Sequence, residues 1–128
     1  MTPGAPPGAG EGPAATPPAA VGWLLRDGDV LAAAEVASTP ALRAKGLLGR
    51  SAYQGAMVLP KVRAVHTFGM RFAIDVAFCD RDLVVVDTAT MRPWRIGLPR
   101  RRARSVIEAQ AGAFDRWGVR VGDHLELR

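Results

Sequence analysis

Residues 65–80 constrain the fold most, because this run places one acid inside an otherwise apolar, strand-like stretch. Residues 74–78 read Ile-Asp-Val-Ala-Phe, which has the β-branched and aromatic character of a buried strand. A buried carboxylate is tolerated only when it has a partner, because an isolated charge is costly to remove from water. The sequence therefore predicts that the fold brings a partner to Asp75.

Short segments with β-branched or aromatic residues recur between turn signals and predict a sheet. The predicted strands are residues 21–25, 30–37, 56–59, 65–68, 74–78, 83–88, 105–110 and 124–127. The turn Asp27-Gly28 joins the first two strands as a hairpin, because glycine readily supplies the positive φ that a tight turn needs. The link over residues 79–82 is short enough for another hairpin, which favours antiparallel pairing.

One early helix is predicted from residue 39 onward, since Thr39 can cap free backbone N–H groups and Pro40 suits the first helical position. It should run to about Gly49. Gly46 inside it costs about 1 kcal/mol relative to alanine, which predicts that a strand or loop backbone packs closely against it. Residues 112–117 predict a short helical turn. The predicted fold class is α+β, a single small domain with a mostly antiparallel, strongly curved or barrel-like β-sheet.

The 128-residue chain is long enough for one domain, which we assign to residues 21–128. Residues 1–20 are rich in Pro, Gly and Ala with Glu11 as the only charge, and predict a disordered tail without the basic start of a secretory signal. No apolar stretch approaches the roughly 20 residues of a membrane-spanning helix, so no membrane partner is expected. A single cysteine cannot form an internal disulfide, which favours a cytoplasmic location.

The formal charge of +5 is concentrated in residues 91–104, which contain six arginines and no acid. The rest of the chain has 11 basic and 12 acidic residues, a net charge of −1. The candidate anion-binding residues are Arg92, Trp94, Arg95, Arg100, Arg101, Arg102 and Arg104. Guanidinium groups beside an indole suit phosphate contacts and base stacking, so weak non-specific nucleic-acid binding is one hypothesis. A solvated surface loop is the other, because charge runs are usually exposed.

Three blocks of sequence resemble the family known as domain of unknown function 192 (DUF192), which comprises small uncharacterised bacterial and archaeal proteins. The blocks are residues 39–57, with spaced Thr, Arg, Gly-Leu and Arg; residues 73–78, similar to Pro-Leu-Asp-Ile-x-Phe; and residues 105–123, similar to Leu-Glu-x-x-x-Gly and Ile-x-x-Gly-Asp. Residues 66–70 read His-Thr-Phe-Gly-Met where the family commonly has Trp-Met-Lys-Asn-Thr, so no role of that lysine or asparagine is carried over. The resemblance spans roughly residues 30–127 and implies a compact β-rich fold with a packed helix. It implies no reaction.

Two acids lie in strand-like apolar settings, Asp75 and Glu108, and two arginines lie on or near the predicted helix, Arg43 and Arg50. An arginine can make a buried acid tolerable through a bidentate, charge-assisted pair. These residues could be structural ion pairs that hold the helix on the sheet, or the floor of a polar pocket. With His66 nearby in sequence, the two carboxylates could also serve as general acid and base.

The remaining reactive residues show no coherent catalytic pattern. Two histidines, His66 and His124, and a lone cysteine give no metal-ligand spacing, and no cofactor is predicted. Ser51 and Ser105 lack a nucleophile motif, and Cys79 is interpreted as a small core residue. The leading hypothesis is a non-enzymatic small binding or interaction domain that uses loops at one end of the sheet to bind an unknown protein or small molecule.

Two alternatives remain open at this point. One is an anion- or nucleic-acid-binding protein that uses the basic loop of residues 92–104. The other is an unrecognised enzyme built on His66, Asp75 and Glu108.

Overall fold

The computed structural model describes residues 20–128. The tail predicted for residues 1–20 lies outside this range apart from Ala20, which begins the first strand. The strands are β1 (Ala20–Arg26), β2 (Asp29–Val36), β3 (Ala56–Pro60), β4 (Ile74–Cys79), β5 (Val85–Met91), β6 (Ser105–Gln110) and β7 (Leu125–Leu127). The helices are α1 (Pro40–Lys45) and α2 (Ala113–Trp117). Within residues 20–128, neither helix is long and apolar enough to cross a bilayer.

All seven strands form one sheet in the order β5-β4-β6-β3-β2-β1-β7. Every pair is antiparallel except β2 and β3, which are parallel because the chain crosses over through α1 between them. The sheet curls until its two edges meet, where the Val85 N–H donates to the Asp123 carbonyl at 2.9 Å and the Leu125 N–H donates to the Leu83 carbonyl at 3.0 Å. The predicted α+β class and the predicted strong curvature of the sheet are confirmed.

The sheet buries hydrophobic residues on both faces, which explains why its central strands read as continuous apolar runs. One face, the Phe114 face, packs Leu24, Ala34 and Ile107 with Phe114 of α2. The other, the Leu47 face, packs Leu59, Val76 and Val106 beneath Leu47 and the loop of residues 62–70. Side chains that alternate along a strand therefore enter different environments, and this alternation separates the two buried acids described below.

The predicted strand over residues 65–68 is wrong. Only an isolated bridge joins His66 to Ile96 in this segment. Val65 and Thr67 are buried while His66 and Phe68 are exposed, so the burial pattern has the period of a strand. The backbone is nevertheless a loop, because its hydrogen bonds go to the neighbouring loop: the Thr67 N–H donates to the Arg95 carbonyl at 2.7 Å.

Helix α1 begins as predicted but ends earlier. The Thr39 side chain accepts a hydrogen bond from the Leu42 N–H at 3.2 Å, and Pro40 is the first helical residue. The helix ends at Lys45 instead of continuing to Gly49, because Gly46 turns the chain with φ 49° and ψ −125°. Gly46 is thus the C-cap and not an interior position. The prediction of one helix plus a helical turn also needs correction, since residues 113–117 form a second α-helix.

Candidate ligand site at Glu108

A cavity of about 280 Å³, which we name the Glu108 cavity, opens between the end of α1 and the loop of residues 62–70. It lies over the Leu47 face of the sheet. Its apolar walls are Leu47, Leu48, Leu59, Val62, Val65 and Met70. Glu108 lines it from the sheet, while Arg43, Lys45 and His66 contribute polar groups from the surrounding segments. The cavity therefore combines an apolar interior with one carboxyl group and a largely cationic polar lining.

Glu108 is buried in the centre of the sheet, with 5% of its surface exposed. It pairs with Met57 on β3 and Val76 on β4, which also point to the Leu47 face. Burial raises the pKa of its carboxyl group from 4.5 to about 7, and a hydrogen bond from the Leu47 backbone only partly offsets this. Within residues 20–128, no ion pair includes this residue. Its charge therefore changes close to neutral pH.

Gly46 is required where it lies both by its positive φ and by its contact with Glu108. A Cβ at this position would lie 2.7 Å from the Glu108 Oε1 atom, well inside normal contact distance. The close approach predicted for this glycine is present, but the neighbour is a carboxyl group and not a strand or loop backbone. The turn that ends α1 thus presses directly onto the buried acid and forms one side of the cavity.

Two aromatic rings stand at the edge of the cavity. The rings of His66 and Phe68 stack with their centroids 5.3 Å apart, and the Phe68 N–H donates to His66 Nδ1 at 3.3 Å. Thr67 between them is fully buried, and its hydroxyl donates to the Arg92 carbonyl at 2.6 Å. A buried anchor thus holds two exposed rings in place.

Asp75 lies on the opposite face of the sheet from Glu108, since its cross-strand partner is Ala109 of the Phe114 face. Its carboxylate accepts the Thr90 hydroxyl at 2.8 Å and the backbone N–H groups of Gly112 and Phe114 at 3.0 and 3.1 Å. The predicted need for a partner is met, but by a hydroxyl and backbone N–H groups at the start of α2 and not by an arginine. Of the three residues in the enzyme hypothesis, only His66 and Glu108 share a cavity.

The two candidate arginines do not pair with Asp75 or Glu108. Arg50 lies beyond α1, and its Nη2 atom is 3.2 Å from Glu35 Oε2 on β2. The Arg50 guanidinium also lies 5.0 Å from the centroid of the Tyr53 ring. Arg43 lines the Glu108 cavity. Sequence reasoning missed Glu35, although an acid within the apolar run of residues 30–37 is the same signal that singled out Asp75.

The basic loop divides into structural and exposed arginines. Arg100 is held by Asp87, with Nε 2.7 Å from Oδ2, and its guanidinium lies 4.3 Å from the Phe78 ring centroid. The hydrogen bond from Arg100 lowers the pKa of Asp87. Arg104 donates to the Arg101 carbonyl within the loop at 3.0 Å. The exposed members are Arg92, Trp94, Arg95, Arg101, Arg102 and Arg104. Of these, Arg104 also holds the loop through its hydrogen bond to the Arg101 carbonyl.

The other candidate nucleophiles do not form a site. Cys79 is completely buried, and this burial, with a smaller effect of Asp80, raises the pKa of its thiol to about 12, so its interpretation as a core residue is confirmed. Ser105 is buried without a hydrogen-bond partner for its hydroxyl, and Ser51 is exposed. Across the part of the chain that the structure describes, no three His, Cys, Asp or Glu side chains cluster as metal ligands would.

Comparisons with known proteins find relatives along most of the chain. The DUF192 family model, described as "Uncharacterized ACR", matches residues 24–127. The UPF0127 protein of Pyrococcus horikoshii is 37% identical over 89 residues, which cover 66% of this chain and 77% of that protein. The Pyrococcus abyssi protein is 45% identical over 62 residues, 48% of this chain, and the match spans about half (53%) of its length. A solved structure from Sinorhizobium meliloti has a TM-score of 0.73 at 22% identity, covering 86% of this chain and 95% of that chain.

Proposed function

Because this chain belongs to the DUF192 family of UPF0127 proteins, a family described only as uncharacterised, we propose a function from its own geometry. We propose that the protein reversibly binds a small molecule in the Glu108 cavity, and that this molecule has an apolar body and an amino group. The observation that carries the proposal is the burial of Glu108, without an ion-pair partner among residues 20–128, against an apolar-walled cavity.

The size and lining of the cavity support a small and mostly apolar occupant. Ligand pockets usually measure about 300 to 1,000 Å³, so a cavity of about 280 Å³ is slightly smaller than that range and suits a small ligand. Its leucine, valine and methionine side chains offer dispersion contacts and exclude water from a bound alkyl group. A ligand with a short branched chain fits this environment better than a sugar or a nucleotide.

The buried carboxyl group supports an amino group on the ligand. In the absence of a cation, Glu108 keeps its proton up to about pH 7. A ligand ammonium would supply the missing charge partner and stabilise the ionised form, because an opposite charge within a few ångströms offsets the cost of burial. Arg43 and Lys45 in the same lining suit a negative group on the same ligand. An apolar α-amino acid is the simplest molecule that carries all three features.

Binding without catalysis is supported by the separation of the acids. A carboxylate pair for general acid–base chemistry needs both groups within reach of one reacting centre. Asp75 and Glu108 point to opposite faces of the sheet, and Asp75 is engaged by three hydrogen bonds.

We also propose that residues 21–128 act as a single domain, supported by their one continuous sheet, and that the protein is cytoplasmic, supported by its single buried cysteine.

A matched ligand series tests the proposal by isothermal titration calorimetry and thermal shift. Leucine, isoamylamine, isoamyl alcohol and 4-methylpentanoate share a branched alkyl body and differ in their polar groups. We expect leucine and isoamylamine to bind and to raise the melting temperature, and the alcohol and the acid to have little effect. E108Q should lose the preference for amines while retaining the fold.

The pH dependence of amine binding adds a second readout. Affinity for isoamylamine should fall as the pH decreases below about 7, because the proton then competes with the ligand for Glu108. Tighter binding of 4-methylpentanoate than of isoamylamine, or unchanged amine binding by E108Q, would refute the proposal.

A further inference from the structure

A second surface of the protein, which adjoins the Glu108 cavity and shares His66 and Phe68 with its edge, presents exposed aromatic rings. Trp94 is 64% exposed and Phe68 is 44% exposed. The Phe68 and Trp94 ring centroids lie 6.4 Å apart, and His66 stacks on Phe68. We name these three residues the aromatic row. Large exposed aromatic side chains in a cluster mark a binding surface, because each leaves apolar area in contact with water.

The backbone holds Trp94 in place at an energetic cost. Its φ of 65° is in the left-handed region, which non-glycine residues rarely adopt. The Trp94 N–H donates to the Thr67 carbonyl at 2.8 Å, and the Thr67 hydroxyl accepts the Arg95 N–H at 2.8 Å. Because Thr67 is completely buried, it fixes both loops of the surface. The indole is therefore presented to solvent in a defined position.

Positive charge lies directly beside the aromatic row. Arg92 and Arg95 line a groove of about 420 Å³ together with Ile96 and Arg100. Arg101 and Arg102 are exposed further along the same loop. No acid occurs from residue 91 to residue 104, and Asp87 on the adjacent strand is already paired with Arg100. The surface thus offers guanidinium groups to an anionic partner. This loop contributes no carboxylate that would repel such a partner.

We propose that the aromatic row and the adjacent arginines bind single-stranded nucleic acid without sequence preference. Bases stack on Trp94 and Phe68, and the phosphates contact Arg92 and Arg95 in the groove. Aromatic rings accept any base, because every base has a π face, whereas the bases of a duplex are already stacked on one another. Phosphate contacts to arginine add affinity that decreases with salt. RNA and DNA single strands share this chemistry.

Fluorescence anisotropy with labelled oligo(dT) and oligo(U) of about 12 nucleotides tests the proposal on the full chain. We expect both strands to bind, with a slope in log K against log salt of about −0.7 for each phosphate contacted, and a matched duplex to bind more weakly. W94S should weaken binding at least about fivefold while W94F retains most of it, because phenylalanine keeps a stacking surface. R92S/R95S should make the salt slope shallower, because it removes the two guanidinium groups that contact the phosphates.

The controls separate this proposal from other partners and from the Glu108 cavity. Melting temperatures of all variants confirm folding, and unchanged amine binding by W94S shows that the cavity is intact. L98S changes the most exposed large aliphatic side chain of residues 20–128, which does not line the groove, and should leave oligonucleotide binding unchanged. The proposal is overturned if the wild type binds neither strand at about 50 mM salt, or if W94S binds as well as the wild type. Binding to anionic phosphatidylglycerol vesicles is the competing outcome. It would assign the surface to membranes if I96S/L98S abolishes vesicle binding and oligonucleotides do not compete with the vesicles.

Discussion

The sharpest stability prediction concerns Glu108, whose charge is unfavourable in the folded protein. E108Q should be more stable than the wild type at pH about 8 and nearly equal to it at pH about 4. Glutamine has the shape of the protonated acid and can still accept the hydrogen bond from Leu47, but it never acquires a buried charge. The variant therefore isolates the cost of ionising one side chain.

The magnitude follows from the two pKa values of the carboxyl group. In the unfolded chain the pKa has its ordinary value of 4.5, and in the folded protein burial raises it to about 7. Between these values the folded state holds a proton that the unfolded state has released, so the free energy of unfolding falls as the pH rises. At about 1.4 kcal/mol for each pH unit, the wild type loses about 3 kcal/mol that E108Q keeps.

Urea denaturation followed by circular dichroism at both pH values measures this difference. The free energy of unfolding of E108Q relative to wild type should increase by about 3 kcal/mol from pH about 4 to pH about 8. E126Q is the matched control, because Glu126 is an exposed acid on β7 and its loss should change stability by at most about 0.5 kcal/mol. If E108Q and wild type differ by the same amount at both pH values, Glu108 does not have the buried, unpaired environment described above.

Three other predictions test neighbouring parts of the structure. D75A should lower the free energy of unfolding by about 3 kcal/mol, because it leaves two backbone amides and a hydroxyl without their acceptor, and a loss below about 1 kcal/mol in urea denaturation would contradict this. G46A should cost about 2 kcal/mol, with a smaller loss when measured in an E108A background, since the atom that the new methyl group meets is then absent. Cys79 should react with Ellman's reagent only after unfolding, and rapid labelling of the native protein would show that it is accessible.

The sequence pattern was sufficient for strands whose hydrogen bonds go to other strands. Residues 105–110 were predicted and found as β6, because β-branched residues between turn signals leave few alternatives. The same reasoning failed at residues 65–68, where alternate residues are buried but the hydrogen-bond partners lie in a loop about 30 residues further along the chain. The parallel pairing of β2 and β3 depends on how the chain crosses over, which the composition of either strand does not specify.

The two buried acids could be predicted from the sequence, but the groups that hydrogen-bond to them could not. Asp75 and Glu108 stand out because charged residues are rare in apolar strands. Their partners are mainly backbone N–H groups, which every residue carries and which therefore have no signature in sequence. The separation of the two acids follows from β4 and β6 register, since a shift of one residue would place both on one face.

The pairing of β1 with β7 affects how the protein is made. Leu24 of β1 lies opposite Leu127 of β7, about a hundred residues later in the chain. At roughly 5 to 20 residues per second, the ribosome needs about 5 to 20 seconds to synthesise the residues between them. During that time one side of the β1–β2 hairpin has unpaired backbone N–H and C=O groups, which can template pairing with another strand. Neighbouring nascent chains on one messenger RNA are thus exposed to mispairing at this edge until β7 emerges and covers it.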